Sequence, residues 1–315
     1  MVAPTPGRVF LTGIAGMLGQ GLARTLAEGG HDVVGYDLRL PETPHPGVRS
    51  VAGDVRDVHG LYRALEGARP LDVIVHAGGI SGSMVARDNP ALIVDTNVVG
   101  TVNLLEATRF YGARHMVLCS SIMVYGPGDR TEVDEDRPLA PTNAYGASKA
   151  ASEALMHSYV ADFGLSAVAL RLTHVYGPTR RTFCPVREMI CGALSGRTVR
   201  ISAPAKARRQ FLHADDAIAA LRLAAFYGDA QGLVANIGPG CDWTLAEVAE
   251  IVRRVVGPID LRFDDAAEDR DYRTGPLQIR RARGRLGWKP EVGLEDGIRG
   301  YARALDDAGA ALTRP

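Results

Sequence analysis

Apolar and polar positions along the chain follow two alternating rhythms. Short runs rich in Val, Ile and Leu occur at Arg8–Thr12, Asp32–Asp37, Val48–Val51, Asp72–Ala77, His115–Ser120, Ala167–Leu172 and Leu233–Ile237. Such runs suit parallel strands buried on both faces. Between them lie longer stretches of helical period. Leu18, Leu22 and Leu26 share one helix stripe, and Gly29-Gly30 closes it before the next strand. Further helices are predicted at Pro90–Phe110, Ala144–Phe163, Phe183–Leu194, Ala214–Phe226, Leu245–Val255 and Leu294–Leu305. Strand and helix in alternation predict an α/β fold, a doubly wound parallel sheet with helices on both faces.

From about Val175 the alternation loosens, with Pro, Arg and Gly scattered through Gly177–Arg209 and again through Gly238–Gly287. The segment Ala214–Ile237 between them is regular enough to rejoin the sheet. A smaller, discontinuous second domain is therefore expected. The boundaries are 1–174 with 211–238 for the first domain, and 175–210 with 239–315 for the second. A length of 315 residues agrees with about two domains.

Lys and Arg number 36, as do Asp and Glu, so the net charge is zero. No global field draws the chain to nucleic acid or an anionic membrane. The basic run Arg280–Arg285 reads as a solvated helix face. Cys119, Cys184, Cys191 and Cys241 lack metal-ligand spacing, so no metal is expected and a reducing cytoplasmic setting is. Met1–Gly7 carries two prolines and no leader-like apolar stretch, and no apolar run approaches the ~18 residues of a membrane span.

The first run ends in Thr12-Gly13-Ile14-Ala15-Gly16-Met17-Leu18-Gly19 and opens a helix. Gly13 permits a tight turn, Gly16 lets backbone approach a pyrophosphate at the helix N-terminus, and Gly19 lets helix and strand pack closely. Asp37, at the end of the second run, stands where a carboxylate meets ribose hydroxyls and repels a 2′-phosphate. NAD is thus favoured over NADP, with Arg39 as the counter-indication.

Farther on, Ser120-Ser121 precedes Asn143-Ala144-Tyr145-Gly146-Ala147-Ser148-Lys149. Tyr145 and Lys149 lie four apart, on one helix face. An ammonium near a phenol favours the phenolate, which makes the phenol usable as a base. With these features in order, the sequence resembles the extended short-chain dehydrogenase/reductase family of the NAD-dependent epimerase/dehydratase type. The resemblance extends through Gly53-Asp54-Val55-Arg56-Asp57, His76-Ala77-Gly78-Gly79, Asn97-Val98-Val99-Gly100, Val175-Tyr176-Gly177-Pro178, the segment Arg209 to Asp216, and Leu286-Gly287-Trp288-Lys289-Pro290.

That resemblance implies a Rossmann domain beside a smaller α/β substrate domain. It implies Tyr145 as acid/base, Lys149 at the nicotinamide ribose and Ser121 at the reacting oxygen. Gly13, Gly16, Met17, Gly19, Asp37, Asp54, Val55, Ala77, Gly78, Gly79 and Asn97 would hold NAD, together with Tyr145 and Lys149. Ser81, Ser121, His174 and Arg209 would meet the substrate. The family also often dimerises through the helices that here are Pro90–Phe110 and Ala144–Phe163.

Dehydratases and decarboxylases of this kind carry acids just after the catalytic serine or threonine, whereas this chain has Ile122 and Met123, which move no proton. Hydride transfer with one acid/base remains. The leading expectation is a nucleotide-sugar epimerase resembling UDP-hexose 4-epimerases. The alternatives are a dehydrogenase or ketoreductase of a sugar or sugar acid, and a non-catalytic NAD-sensing protein. His174 stands where many relatives have Asn, as either an anion donor or a packed residue at the domain junction. Arg180, Arg181, Arg208 and Arg209 could grip a diphosphate or a carboxylate.

Overall fold

The seven apolar runs form one parallel sheet. Its strands are β1 (Arg8–Thr12), β2 (Asp32–Asp37), β3 (Val48–Ala52), β4 (Val73–His76), β5 (His115–Ser121), β6 (Ala167–Leu172) and β11 (Leu233–Ile237). The computed structural model describes residues 7–82, 84–228, 230–264, 274–307 and 309. The leader reading at residues 1–6 and the portions 265–273, 308 and 310–315 of the expected second domain lie outside them. In space the order is β11-β6-β5-β4-β1-β2-β3. The order therefore reverses between β1 and β4, and a crevice opens beyond their carboxyl ends, where such sheets bind ligands.

Helices cover both faces. Strand alternation sends Val9 and Leu11 of β1 to the side of α1 (Met17–Glu28) and α7 (Ala214–Ala225). Phe10 faces the other side, with α2 (Val58–Glu66), α4 (Gly100–Tyr111) and α5 (Ala144–Phe163). The helix expected from residue 90 is real but interrupted: α3 (Pro90–Val94) runs through a π turn, Asp95–Val99, into α4. Helix α2 lies outside the expected set. It is short, and it begins on Asp57, whose carboxylate accepts the His59 and Gly60 N–H groups.

Past β6 the described residues make three short strand pairs, β7 (His174–Tyr176) with β10 (Phe211–His213), β8 (Val199–Ile201) with β13 (Leu261–Phe263), and β9 (Arg208–Arg209) with β12 (Trp243–Thr244). Helices α6 (Pro185–Ser195), α8 (Leu245–Val255) and α9 (Leu294–Asp307) enclose a second apolar core around Met189, Ile190, Val248 and Tyr301. The chain between β13 and α9 is anchored to the sheet side by Asp216. Its carboxylate accepts the Glu291 and Val292 N–H groups at 2.9 and 3.1 Å, and its carbonyl accepts the Trp288 indole at 2.9 Å. Arg281 reaches Asp136 at 2.7 Å, and Arg285 reaches the Tyr227 hydroxyl at 2.8 Å, so this basic segment is only partly a solvated face.

One polar network runs beneath the carboxyl end of the sheet. Arg171 of β6 sits at an otherwise apolar position and pairs with Glu153 of α5, Nη2 to Oε2 at 2.6 Å, with side chains 6% and 2% exposed. The Ser120 hydroxyl donates to the same carboxylate. Arg171 Nη1 donates to the Tyr125 hydroxyl at 2.7 Å and to the Glu135 carbonyl at 3.0 Å. Tyr125 in turn donates to Asn236 of β11 at 2.7 Å. Two desolvated charges are tolerated because nearly every lone pair and N–H is met.

Arg171→Met should lower the unfolding free energy by about 3–5 kcal/mol in a urea titration, because it strands a buried carboxylate. Pairing it with Glu153→Leu should recover much of the loss. A double variant as unstable as the sum of the two single variants would show that the pair is not coupled.

Candidate active site

The crevice between β1 and β4 is a cavity of about 610 Å³ lined by the ends of β1, β2, β4, β5 and β6. Its floor is the glycine turn. Gly13 has φ +80°, and a Cβ there would stand 2.7 Å from the Ala77 carbonyl and the Gly78 nitrogen. A Cβ on Gly19 would collide with the Gly13 carbonyl oxygen. Gly16 is different, since a Cβ there would meet only Gly13 O at 3.2 Å, and otherwise faces open space. It is the N-cap of α1 and offers no side-chain acceptor, so the first N–H groups of that helix are left for a ligand. Met17 and Gly19 also line the cavity.

Asp37 closes one end. Its carboxylate accepts the Ala15 N–H at 3.1 Å and the Arg39 N–H at 3.3 Å, so the acid is tied to the glycine turn. Arg39 does not line the cavity among the described residues. Asp54 and Val55 form the neighbouring wall. Arg56 holds the Asp54 carboxylate in a fork, at 2.6 Å from Nη2, and this pairing keeps the acid below the usual carboxylate range. The Tyr36 hydroxyl donates to the Asp54 carbonyl at 3.1 Å, which fixes the loop after β3.

Beyond β4, Ala77, Gly78, Gly79 and Ser81 line the cavity. Asn97 does not reach it. Within the π turn its amide accepts the Ile80 N–H at 2.8 Å, and it donates to the Ile80 carbonyl and the Ser148 hydroxyl, each at 3.0 Å. A Cβ on Gly79 would come within 2.7 Å of this amide. Asn97 therefore clamps the Gly79–Ile80 backbone to α5 from behind. The π turn supplies the aim of that side chain, which a regular helix period does not reveal.

At the centre, β5 and α5 bring Ser121, Tyr145 and Lys149 to one wall. The two serines diverge: Ser120 turns to Glu153, and Ser121 stays on the cavity side as N-cap of a short turn, accepting the Met123 N–H at 3.2 Å. Tyr145 packs against Ile93 and Met123, with Ile80 and Ile122 alongside. Lys149 is buried and donates to the Cys119 carbonyl at 2.9 Å. Cys119 lines the same wall, and burial pushes its thiol up to about 11, so it is a neutral neighbour.

The opposite wall carries His174, Arg180, Arg181, Arg208 and Arg209, so the dispersed arginines do converge. Most are engaged within the protein. Arg208 Nε donates to Asp242 at 2.8 Å, Arg181 meets Glu42 at 3.3 Å, Arg180 donates to the Val175 carbonyl, and Arg209 donates to the Arg208 carbonyl at 2.9 Å. His174 stacks edge-on to Phe211 with ring centroids 5.2 Å apart. Desolvation, then the Arg180 and Arg209 charges, hold its imidazole well below the ordinary histidine range, so it is neutral at pH 7. Gln210 and Thr274 complete this wall. Gln210 clamps the returning chain, donating to the Gly275 carbonyl at 2.7 Å and accepting the Leu277 N–H at 2.9 Å. Gln210 falls within the segment Arg209 to Asp216, but neither its role nor that of Thr274 is marked in the sequence, because their contacts span more than 60 positions.

Residues 9–238 match the NAD dependent epimerase/dehydratase family. Over 304 residues the chain is 31% identical to a UDP-glucose 4-epimerase of Mycolicibacterium smegmatis, covering 92% of this chain and 96% of that protein. It is 27% identical to a probable UDP-glucuronate 4-epimerase of Rhizobium meliloti, covering 95% and 97%. The solved structure of MoeE5 in complex with UDP-glucuronic acid and NAD superposes with a TM-score of 0.87 at 29% identity, covering 96% of this chain and all of that one.

The glycine geometry separates two kinds of damage. Gly19→Ala should lower thermal stability by the equivalent of about 1–3 kcal/mol or prevent folding, because the methyl group has no room. Gly16→Ala should melt within about 1 kcal/mol of the parent, since its methyl group meets one atom, the Gly13 carbonyl oxygen at 3.2 Å, and a shift of a few tenths of an ångström relieves that contact. Equal melting temperatures for the two variants would contradict the packing described.

Proposed function

The chain belongs to the NAD-dependent epimerase/dehydratase family, and on that premise we propose that it is a nucleotide-sugar 4-epimerase using NAD, with UDP-hexoses or UDP-hexuronates as substrates. The observation that carries this reading is the wall around Tyr145. Ser121, Tyr145 and Lys149 converge there, and the adjoining Ile122 and Met123 offer no second group to move a proton. The cradle suits a dinucleotide. Gly16 leaves the start of α1 clear for a pyrophosphate, Asp37 stands at the ribose end, and a cavity of about 610 Å³ falls within the ~300–1,000 Å³ of cofactor sites.

When bound, NAD supplies the hydride acceptor and donor for the sugar carbon. Tyr145 takes the proton of the substrate hydroxyl, and Ser121 holds the same oxygen by a hydrogen bond. Lys149, which donates to the Cys119 carbonyl, would hold the nicotinamide ribose and stands one helical turn from the phenol. Gly13, Gly16, Met17, Gly19, Asp54, Val55, Ala77, Gly78 and Gly79 line the cofactor's path, with Asn97 acting through Ile80. On the substrate side, Ser81 and Arg209 face the nucleotide sugar. His174, being neutral, serves as a packed wall or neutral hydrogen-bond partner and not as a cation.

We also infer a homodimer through the helical segments 90–110 and 144–163, where Val94 of α3, Val99 of the π turn, Phe110 of α4 and Phe163 of α5 are exposed. A cytoplasmic location is supported by four cysteines that are all free. No helix among the described residues is long and apolar enough to cross a membrane.

Incubation with UDP-glucose, UDP-galactose and UDP-glucuronate should yield the 4-epimer of at least one, with no net change in nicotinamide absorbance. Stoichiometric reduction of NAD without an epimer would instead establish a dehydrogenase. Tyr145→Phe should lower kcat about 10²–10⁴-fold while the melting curve is unchanged; full activity in that variant would remove the phenol from the mechanism.

A further inference from the structure

His76 has no part in the chemistry described so far, yet it is one of the most enclosed polar groups in the molecule. It ends β4, in register with Thr12 of β1 on one side and Leu118 of β5 on the other, and is 1% exposed. The Thr12 hydroxyl accepts the Gly78 N–H at 3.1 Å and shares a hydrogen bond of 2.8 Å with His76 Nδ1. The other ring nitrogen, Nε2, is buried with no partner among the described residues. A buried N–H left unmet is costly, which makes this atom a place where a further group belongs. Lys149 is near enough for its charge to act on the ring, and its ammonium bonds the carbonyl of Cys119, the residue next to the register partner of His76.

We propose that His76 is a positioning residue for Lys149, its Nε2–H donating to one buried water whose oxygen also accepts a hydrogen bond from the Lys149 ammonium. This rests on reading Lys149 as the partner of Tyr145. Proton balance supports the assignment. Among the described residues the Thr12 hydroxyl has no acceptor for its proton other than Nδ1, so it is assigned as the donor there and the neutral ring carries its proton on Nε2. Neutrality is enforced by the site: burial, then the Lys149 charge, lower the imidazole to about 3. A neutral donor can share a water with an ammonium, whereas an imidazolium would repel it. Among the described residues the charge that acts on the ring is that of Lys149, while the Cys119 thiol of β5 is held neutral by burial and β1 meets the ring through the Thr12 hydroxyl. The water satisfies Nε2 and gives the ammonium a second fixed partner, so its charge stays aimed at the cofactor side.

The test compares the parent enzyme with His76→Phe and His76→Gln. His76→Phe keeps a planar ring without the donor, and His76→Gln can return an N–H near the Nε2 position. In His76→Phe the acid limb of the kcat profile should move up by about one pH unit, because a less well-held ammonium stabilises the phenolate less. kcat at neutral pH should fall about tenfold at unchanged substrate KM, and His76→Gln should restore most of the limb. A fall in kcat or melting temperature with the limb unmoved would reduce His76 to a packing residue and overturn the proposal. Should His76→Phe fail to fold, ¹⁵N NMR of the parent protein decides the matter, because the ring must be neutral and protonated on Nε2 at pH 5. An Nδ1–H tautomer, or a protonated ring, would overturn it. Failure of the parent enzyme to epimerise any nucleotide sugar would refute the functional reading instead and leave the NMR result standing.

Discussion

The buried pair of Arg171 and Glu153 is the constraint on which the arrangement of the site depends. It couples β6 to α5 in the layer directly below the cavity, and the Ser120 hydroxyl adds β5 to the same carboxylate. Through Tyr125 and Asn236 the network continues to the edge strand β11, and Glu135 closes that edge by accepting the Asn236 N–H at 2.9 Å. Lys149 lies one helical turn before Glu153, and Ser121 lies one residue beyond Ser120. Movement of the ion pair would therefore carry both along. Buried charges are poor sources of net stability, but a fully bonded set admits few alternative packings.

Above that layer the cavity combines backbone donors with apolar walls. The glycine turn presents N–H groups and little else, and Asn97 stiffens the Gly79–Ile80 strip without touching the cavity. Around Tyr145 the neighbours are Ile93, Met123 and Ile122. An apolar setting leaves the phenol and the ammonium as the reactive groups of that wall. Across the cavity, arginines are held on Asp242, Glu42 and backbone carbonyls. A charged ligand arriving there would meet cations already oriented by the protein, so little entropy remains to be lost on binding.

Helix and strand positions were largely legible in the sequence, since α5 and α8 span the predicted limits and all seven strands occur. Long apolar stripes and near-continuous strands leave few alternative readings. Short elements were not legible: α2 and the paired strands β7 to β10 are defined by capping and pairing with distant segments more than by periodicity. The site shows the same division. Tyr145, Lys149 and the glycine turn were marked by local spacing, and Ser121 by the family resemblance. The engagement of Asn97 with Ile80 and Ser148, the neutral state of His174 and the roles of Gln210 and Thr274 were not. Each depends on desolvation or on a partner far away in the chain.

The amino-acid sequence alone therefore determined the doubly wound sheet, the glycine turn with Asp37, and the pairing of Tyr145 with Lys149 on one helix face. These follow from periodicity and from residues within a few positions of one another. Tertiary structure decided that Ser120 is spent on Glu153, which arginines are already paired, and that Arg171 and Arg209 are buried while Arg181 and Arg208 keep contact with water. The reason is physical: local geometry depends on neighbours in the chain, whereas burial and charge state depend on what folding brings alongside.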